Sequence, residues 1–301
     1  MTLHIVSVPS LETLVERVRH PPSISLPVRD IGEVWRSSMV IVTTSRPAEL
    51  DFSPDIGGRV RGLLGKALLE LSEKDALCEL AFRMLFGDIP AGVTRPFNLS
   101  VQGAREKLRL KVTLHGAAEF LAPAIERALQ TGFQSGLALS VDAKSRASLN
   151  ILDSRIERNA YVESPKIEEA NWVWMVLRGP LLVLQGRHAA LDGQRFTRGL
   201  WRRVRDLARW QDVGLAGNET AIVERAGSLR WEYRYLNPVH WSRHSSRQRG
   251  RVLPMEASVG SFGVSGALGD IAPLIALGAT IQAGARTAFG FGAYDWFWTS
   301  G

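Results

Sequence analysis

Apolar positions recur along this chain with two periods, and the switching between them lays out most of the elements. Trp35 to Thr43 alternates and then runs apolar through Met39, Val40, Ile41 and Val42, which suits a buried strand. Arg59 to Leu71 changes period, with Val60, Leu63, Leu64, Ala67, Leu68 and Leu71 on one side of a helix. After a loop region through Pro90 and Pro96, Phe97 to Val101 and Leu108 to Leu114 read as strands. Ala117 to Gln130 then reads as a helix with Phe120, Leu121, Ile125 and Leu129 inward, and Gly132 and Gly136 introduce a strand around Ser148 to Leu152. Strand, helix, two strands, helix, strand is the ferredoxin-like βαββαβ order.

The order recurs. Trp172 to Leu177 is a strand, Gly193 to Gln211 contains a helix, and Leu229 to Leu236 and Val252 to Phe262 are strands. Ala267 to Leu277 is the second helix, stopping at Gly278, and Phe289 to Trp298 holds the last strand. The pattern predicts an α+β fold of two tandem ferredoxin-like domains, 34–153 and 170–301, the second with a basic helical insertion. Residues 1–33 form an N-terminal extension: strand-like Leu3 to Val8, then a helix from Ser10 to about Arg19. Ser10 is its cap, and Leu11, Leu14, Val15 and Val18 are its apolar stripe.

Composition agrees with two packed domains: 301 residues, 45% of them apolar. Cys78 is the single cysteine, which excludes a disulfide framework and a cysteine-built zinc site and fits a reducing cytoplasm. The N-terminus has no basic n-region followed by a sustained apolar stretch. No run of eighteen apolar residues occurs, so no membrane span is expected. A formal charge of +7 points to a polyanionic partner, and its distribution sharpens this. Between Arg187 and Arg251 stand fourteen Arg and no Lys against six Asp or Glu, a net of +8 that exceeds the whole chain's charge. Arginine's planar fork pairs bidentately with phosphate and stacks on bases.

Three constellations could carry chemistry. On the helix near residue 200, Leu200, Val204, Leu207 and Ala208 share one face. Arg198, Arg202, Arg205 and Arg209 fall within about 60° of one another on the other face, with Asp206 at the edge. Such a stripe is either a solvated face or a helix laid along phosphates. Trp241-Ser-Arg243-His244-Ser-Ser-Arg247-Gln-Arg249-Gly-Arg251 gathers arginines, hydroxyls and an imidazole into a phosphate grip. The third is the loop from Gly284 to Gly292, whose Gly284, Gly290 and Gly292 can take positive φ and bring backbone N–H groups close to a phosphate chain. Taken alone it reads first as a tight turn between a helix and a terminal strand, and only the rest of the chain favours an RNA clamp. Two other signals fail. Gly57-Gly58-Arg-Val-Arg-Gly-Leu-Leu-Gly65-Lys66 has Ala67 where a phosphate-binding loop needs Ser or Thr for Mg²⁺. His240 and His244 have helical metal-ligand spacing with no third ligand nearby, so no metal and no cofactor are expected.

Five stretches appear in a fixed order: Arg61-Gly-Leu-Leu-Gly65; Leu85-Phe86 with Arg95-Pro96-Phe97; Arg178-Gly-Pro-Leu-Leu; Trp241-Ser-Arg-His-Ser-Ser-Arg-Gln248; and Gly278 through Phe289-Gly-Phe-Gly292. Together, over residues 34 to 296, they resemble the CRISPR-associated repeat-processing endoribonucleases of the repeat-associated mysterious protein (RAMP) superfamily. The resemblance implies metal-independent cleavage of pre-crRNA within the CRISPR repeat hairpin. It also implies retention of the crRNA with other CRISPR effector complex subunits, and RNA contact by the terminal loop, here Gly284 through Gly292 with Arg286. The chain departs from the family where Gln282-Ala-Gly-Ala285 replaces the His-Val-Gly-Lys of many relatives, and no His occurs between His20 and His115. The arginine-rich helix and the missing His suggest a divergent branch such as the plasmid-associated type IV systems. His20 or His244 is left as acid or base, with Arg36, Arg46 and Arg243 as charge stabilisers. His4, His115 and His188 read as structural. Arg198, Arg202, Arg205, Arg209, Arg247, Arg249 and Arg251 are the expected RNA-binding side chains. A non-catalytic crRNA-binding subunit with the same folds and surfaces is the alternative.

Overall fold

The computed structural model describes residues 9–140, 145–159, 170–183, 191–244 and 252–299. The helix α1 (Leu11–Arg19) starts where expected, with the Ser10 hydroxyl accepting from the Thr13 N–H at 3.2 Å, and its Leu11, Leu14, Val15 and Val18 are buried. A short helix, α2 (Val28–Val34), follows. The first unit then runs β1 (Ser37–Ser45), α3 (Ile56–Ser72), α4 (Ala76–Leu85), β2 (Phe97–Gly103), β3 (Lys107–His115), α5 (Ala122–Ser135) and β4 (Ile151–Asn159). Its antiparallel sheet has the order β2-β3-β1-β4. The second unit runs β5 (Trp172–Leu177), α6 (Gly193–Ala208), α7 (Glu219–Ser228), β6 (Arg230–His244), β7 (Val252–Ser265), α8 (Ile271–Ile281) and β8 (Tyr294–Thr299). Its sheet order, β6-β7-β5-β8, repeats the first. Both are the ferredoxin-like arrangement the sequence pattern predicts.

Several boundaries differ from the sequence reading. Each unit carries an extra helix after its first. α4 falls in what reads as loop, where Asp75 caps it by accepting from the Leu77 and Cys78 N–H groups. α7 is capped by Asn218 accepting from the Thr220 N–H at 2.8 Å. The first sheet's last strand continues past residue 153 to Asn159, and the β6–β7 hairpin is longer than predicted. α8 does not stop at Gly278. It passes through it to Ile281, and a side chain at Gly278 would stand 2.2 Å from the Tyr294 hydroxyl and 2.7 Å from Leu200. That glycine serves helix packing rather than termination.

One continuous apolar core runs through both units, from Leu64 and Phe133 under the first sheet to Leu200, Phe262 and Leu274 under the second. The extension straps the two together. Ser25–Leu26 pairs in parallel with Gly214–Leu215 of the second unit, while Arg17 reaches Asp212 at 2.6 Å. No described helix is long and apolar enough to cross a membrane.

Candidate nucleic-acid interface

The five stretches that carry the family resemblance converge on the glycine-rich loop. Arg61 lies between two rings, its guanidinium carbon 4.6 Å from the centroids of both Phe86 and Phe289. Phe86 packs on Phe97, and Arg95 ties this corner by donating to the Met84 and Gly87 carbonyls at 3.2 and 2.7 Å. From the second unit, the Gly292 N–H donates to the Pro180 carbonyl and the Ala285 N–H to the Leu182 carbonyl, both at 2.8 Å. Trp241 meets Phe291 edge-on at 5.5 Å.

Gly284, Gly290 and Gly292 all have positive φ, at 74°, 87° and 73°. Their freedom is spent inside the protein. A side chain at Gly292 would stand 1.8 Å from the Ala283 carbonyl oxygen, and one at Gly284 2.4 Å from that of Leu182. On the opposite wall, Gly57 at the start of α3 would meet the Phe289 carbonyl oxygen at 2.0 Å. The close approaches are therefore to neighbouring backbone, and the loop is a wedge between the units. Arg286 stands in this wedge in the left-handed region, φ 60°, partly exposed. Gln282 is buried at φ 65° and ψ 151°, a region that strongly favours glycine. Its amide donates across the interface to the Leu99 carbonyl at 2.9 Å, which holds the strained residue in place.

Beside the wedge a cleft of about 720 Å³ opens between the helix-free faces of the two sheets. Register explains its lining. In the first sheet Ser100, Lys111, Ile41 and Arg155 form one cross-strand row, and Gln102, Arg109, Thr43 and Asp153 the next. Lys111 and Arg109 thus point away from the core that Leu108, Leu110 and Val112 build. The second unit contributes Arg178 and Asp295, paired at 2.6 Å. Burial, and then the neighbouring Arg109 charge, lower the Lys111 pKa, with Asp295 and Glu157 opposing the shift. Phe52 lines the rim, with the Arg46 guanidinium 5.2 Å above its ring.

None of the expected catalytic residues is among the described residues that line this cleft; Arg46 reaches its rim through Phe52. His20 is an exposed end of α1 facing Glu16 at 3.1 Å. Arg36 is held through its backbone by both ends of the Gln211 amide, at 3.1 and 2.8 Å. Arg243 and His244 are the last residues of β6, paired with Leu253 and Val252. Arg247, Arg249 and Arg251 lie outside the described residues. His240 and His244 sit on a strand, where four-residue spacing puts the α-carbons about 13 Å apart and the helical metal pattern does not apply. Sequence reading left Arg109, Lys111 and Arg178 unassigned. The signal for the first two was Lys107, Arg109 and Lys111 alternating with Leu108, Leu110 and Val112 on a strand that presents its cations to one face.

The arginine stripe forms, but it is not free of acid. Glu219, the first residue of α7, reaches Arg202 at 2.7 Å, Arg205 at 3.7 Å and Arg198 at 3.8 Å, while Arg205 also meets Asp206 at 3.0 Å. Arg209 closes the row at the start of a single 3₁₀ turn, Arg209–Gln211. Arg198 and Arg202 also border a pocket of about 230 Å³ with Arg195, Gly284 and Ala285, so the stripe and the glycine-rich loop are neighbours.

His115 is structural, as its apolar setting indicates. It is fully buried, with Nδ1 accepting from the Trp35 indole N–H at 3.4 Å. That leaves the proton on Nε2, which donates to Asn98 Oδ1. Burial, with Arg203 nearby, pushes its pKa down to about 3. Asn98 continues to the Thr280 carbonyl and Arg203 to the Ile281 carbonyl, so the C-terminal end of α8 rests on a polar network across the interface.

No family model matches the chain, and no curated protein matches its sequence. Solved structures do. A Cas6 product complex is 18% identical over 87% of this chain and 99% of the other, with a TM-score of 0.56. Thermus thermophilus Cas6 is 14% identical, covers the same shares and gives 0.51. A structure described as a RAMP protein binding different RNA substrates is 12% identical over 87% and 99%, also at 0.51. At such identities the likeness establishes the fold: this chain has the tandem ferredoxin-like architecture of Cas6 and RAMP proteins.

Proposed function

We propose that this protein binds CRISPR repeat RNA and cleaves it in the cleft between its sheets, keeping the crRNA product for other CRISPR effector subunits. The observation that carries the reading is the cleft itself. Cations from both units, Arg109 and Lys111 on one side and Arg178 on the other, face a space closed by the loop on which the family-like stretches meet. Phosphates neutralise such a set, and the fold it shares with Cas6 and RAMP proteins supports RNA as the polyanion.

The chemistry follows from which groups are present. A ribose 2′-OH attacks the adjacent phosphorus and the P–O5′ bond breaks, leaving a 2′,3′-cyclic phosphate and a 5′-OH. Lys111, whose lowered pKa raises its neutral fraction, accepts the 2′-OH proton. Arg46, Arg109 and Arg178 stabilise the charge of the five-coordinate phosphorus, and the departing 5′-oxygen takes a proton from the lysine ammonium or from water. Arginine cannot serve as the base because it stays protonated. No histidine lines the cleft among the described residues, which also supports a second reading, a crRNA-binding subunit without cleavage. The arginine-rich α6 and the absence of His from 21 to 114 support placing the chain in a divergent branch such as the type IV systems.

Single-turnover cleavage of a repeat RNA in EDTA separates the readings. Cleavage that disappears with a 2′-deoxy sugar at the scissile position, and falls at least 100-fold in Lys111→Met with RNA still bound, supports the assignment. Wild-type rates in Lys111→Met sink the lysine's role. Tight binding without products favours the non-catalytic subunit, and equal affinity for duplex DNA refutes the RNA reading.

A further inference from the structure

The helix-free face of the second sheet carries aromatic side chains that the cleft chemistry does not use. Cross-strand register places them in three adjacent rows. Tyr235, Ser261, Val176 and Asp295 form the first row, Glu232, Gly263, Trp174 and Phe297 the second, and Arg230, Ser265, Trp172 and Thr299 the third. Residues directly opposite in a sheet project to the same side, and here it is the side away from buried Val173, Met175, Phe262 and Val264. Trp172 and Trp174 stack at 5.6 Å with 15° between their planes, and Tyr235 meets Trp174 edge-on at 5.9 Å.

This arrangement is built rather than incidental. A side chain at Gly263 would stand 2.3 Å from the Trp174 ring, so the glycine lets the indole lie across the neighbouring strand. A protein that only needed to bury these rings would turn them inward. Instead Tyr235 and Phe297 stay 53% and 54% exposed. The face is also continuous with the cationic cleft, because Asp295 and its partner Arg178 line that cleft two residues from Phe297.

We infer that this aromatic face is a stacking platform for unpaired nucleotides, the part of a bound RNA that leaves the cleft as a single strand. Four-stranded sheets with aromatics on one open face stack two or three bases in this way. Here Trp172 and Trp174 stand on central β5, with Tyr235 and Phe297 on the edge strands. Stacking tolerates any base because every base has a π-face. The cations beside it hold the sugar–phosphate chain while the rings take the bases. The inference rests on the RNA-binding reading above, and the experiment separates the two.

The probes are a short oligouridylate and a repeat hairpin stripped of single-stranded flanks. The variant is Phe297→Ser with Tyr235→Ser, two exposed positions whose change spares the core, confirmed by an unaltered unfolding transition. Oligouridylate is expected to quench intrinsic tryptophan fluorescence. The double variant should lose about five- to 150-fold in affinity for it, the range for one stacked base, and keep hairpin affinity within about twofold. Wild-type binding of oligouridylate by the variant overturns the platform, as does hairpin binding by the native chain with no oligouridylate binding. A native chain that binds neither RNA removes the underlying reading and the platform with it. A concentration-dependent dimer abolished by the same substitutions, with no effect on RNA, assigns the face to a second copy and overturns the inference.

Discussion

Gly57→Ala should destabilise the protein although Gly57 lies within a helix. In an exposed helix interior, replacing glycine by alanine gains about 0.5–1 kcal/mol by reducing the freedom of the unfolded chain. At Gly57 the new methyl group would stand 2.0 Å from the Phe289 carbonyl oxygen, against 3.4 Å or more for ordinary contact. The wedge or the start of α3 must therefore retreat by roughly 1 Å, and overpacking of that kind costs about 1–3 kcal/mol. The net expectation is a loss of up to about 2.5 kcal/mol, opposite in sign to the helix rule. Gly62, in the same helix, is the control: it is exposed, with nothing within 4 Å of an added Cβ. Gly62→Ala should stabilise by about 0.5–1 kcal/mol. Urea midpoints at unchanged m-value measure both. Gly57 also borders the space beside Arg178 and Gly290, so Gly57→Ala should slow repeat-RNA cleavage more than it weakens binding, while Gly62→Ala leaves both alone. A Gly57→Ala protein as stable as wild type refutes the wedge.

Two further outcomes test the interface and the stripe. The folded pKa of His115, about 3, lies below the ordinary 6.5, so between these values the unfolded chain binds more protons than the folded one. The stabilisation is complete above pH 6.5 and is lost as pH falls toward 3, by about 1.4 kcal/mol per pH unit. His115→Asn should flatten this component, read as the difference between the two proteins' urea stabilities at pH 7 and pH 5; parallel profiles would show that His115 is not held neutral. Glu219→Gln removes the carboxylate shared by Arg198, Arg202 and Arg205, of which Arg205 keeps Asp206, and should tighten RNA binding at low salt about two- to fivefold, a surface-pair magnitude. Unchanged affinity would return the stripe to a self-contained ion cluster away from RNA.

The fold was legible because both strand period and helix period are strong in the central elements. β5 was legible end to end, since Trp172 to Leu177 is bounded on both sides by polar or turn residues. α4 and α7 were not: α4 is short and apolar almost all round, so no period shows, α7 buries only Ile222, Val223 and Ala226, and the start of each is set by a local cap, Asp75 and Asn218. Gly278 misled for a different reason: a glycine that ends a helix and one that admits a neighbour look alike until Tyr294 and Leu200 are in place. The site was legible in part. The stripe on α6 follows from helical angles alone, but its neutralising Glu219 arrives from another helix, and no local pattern announces that. Likewise Lys111 and Arg178 come from different units, so their meeting is a property of the domain packing.

That separation gives the glycine-rich wedge its consequence for function. The cleft's cations are divided, Arg109 and Lys111 on the first unit and Arg178 on the second, so their spacing is the spacing of the units. The wedge sets that spacing by hard contact, Phe289 carbonyl against Gly57 on one wall and Gly290 carbonyl against Gly179 on the other, where an added Cβ would stand 2.5 Å away. Binding a flexible polyanion tolerates a small shift, because charge attraction falls slowly with distance. Aligning a 2′-OH with the phosphorus does not, and a displacement of about 1 Å can cost on the order of 100-fold in rate. Substitutions at Gly57, Gly179 and Gly290 should therefore depress cleavage more than affinity, whereas neutralising Arg109 should depress affinity at least as strongly. A wedge variant that loses affinity and rate in equal proportion would mean that the loop touches RNA directly instead of setting the distance between its two walls.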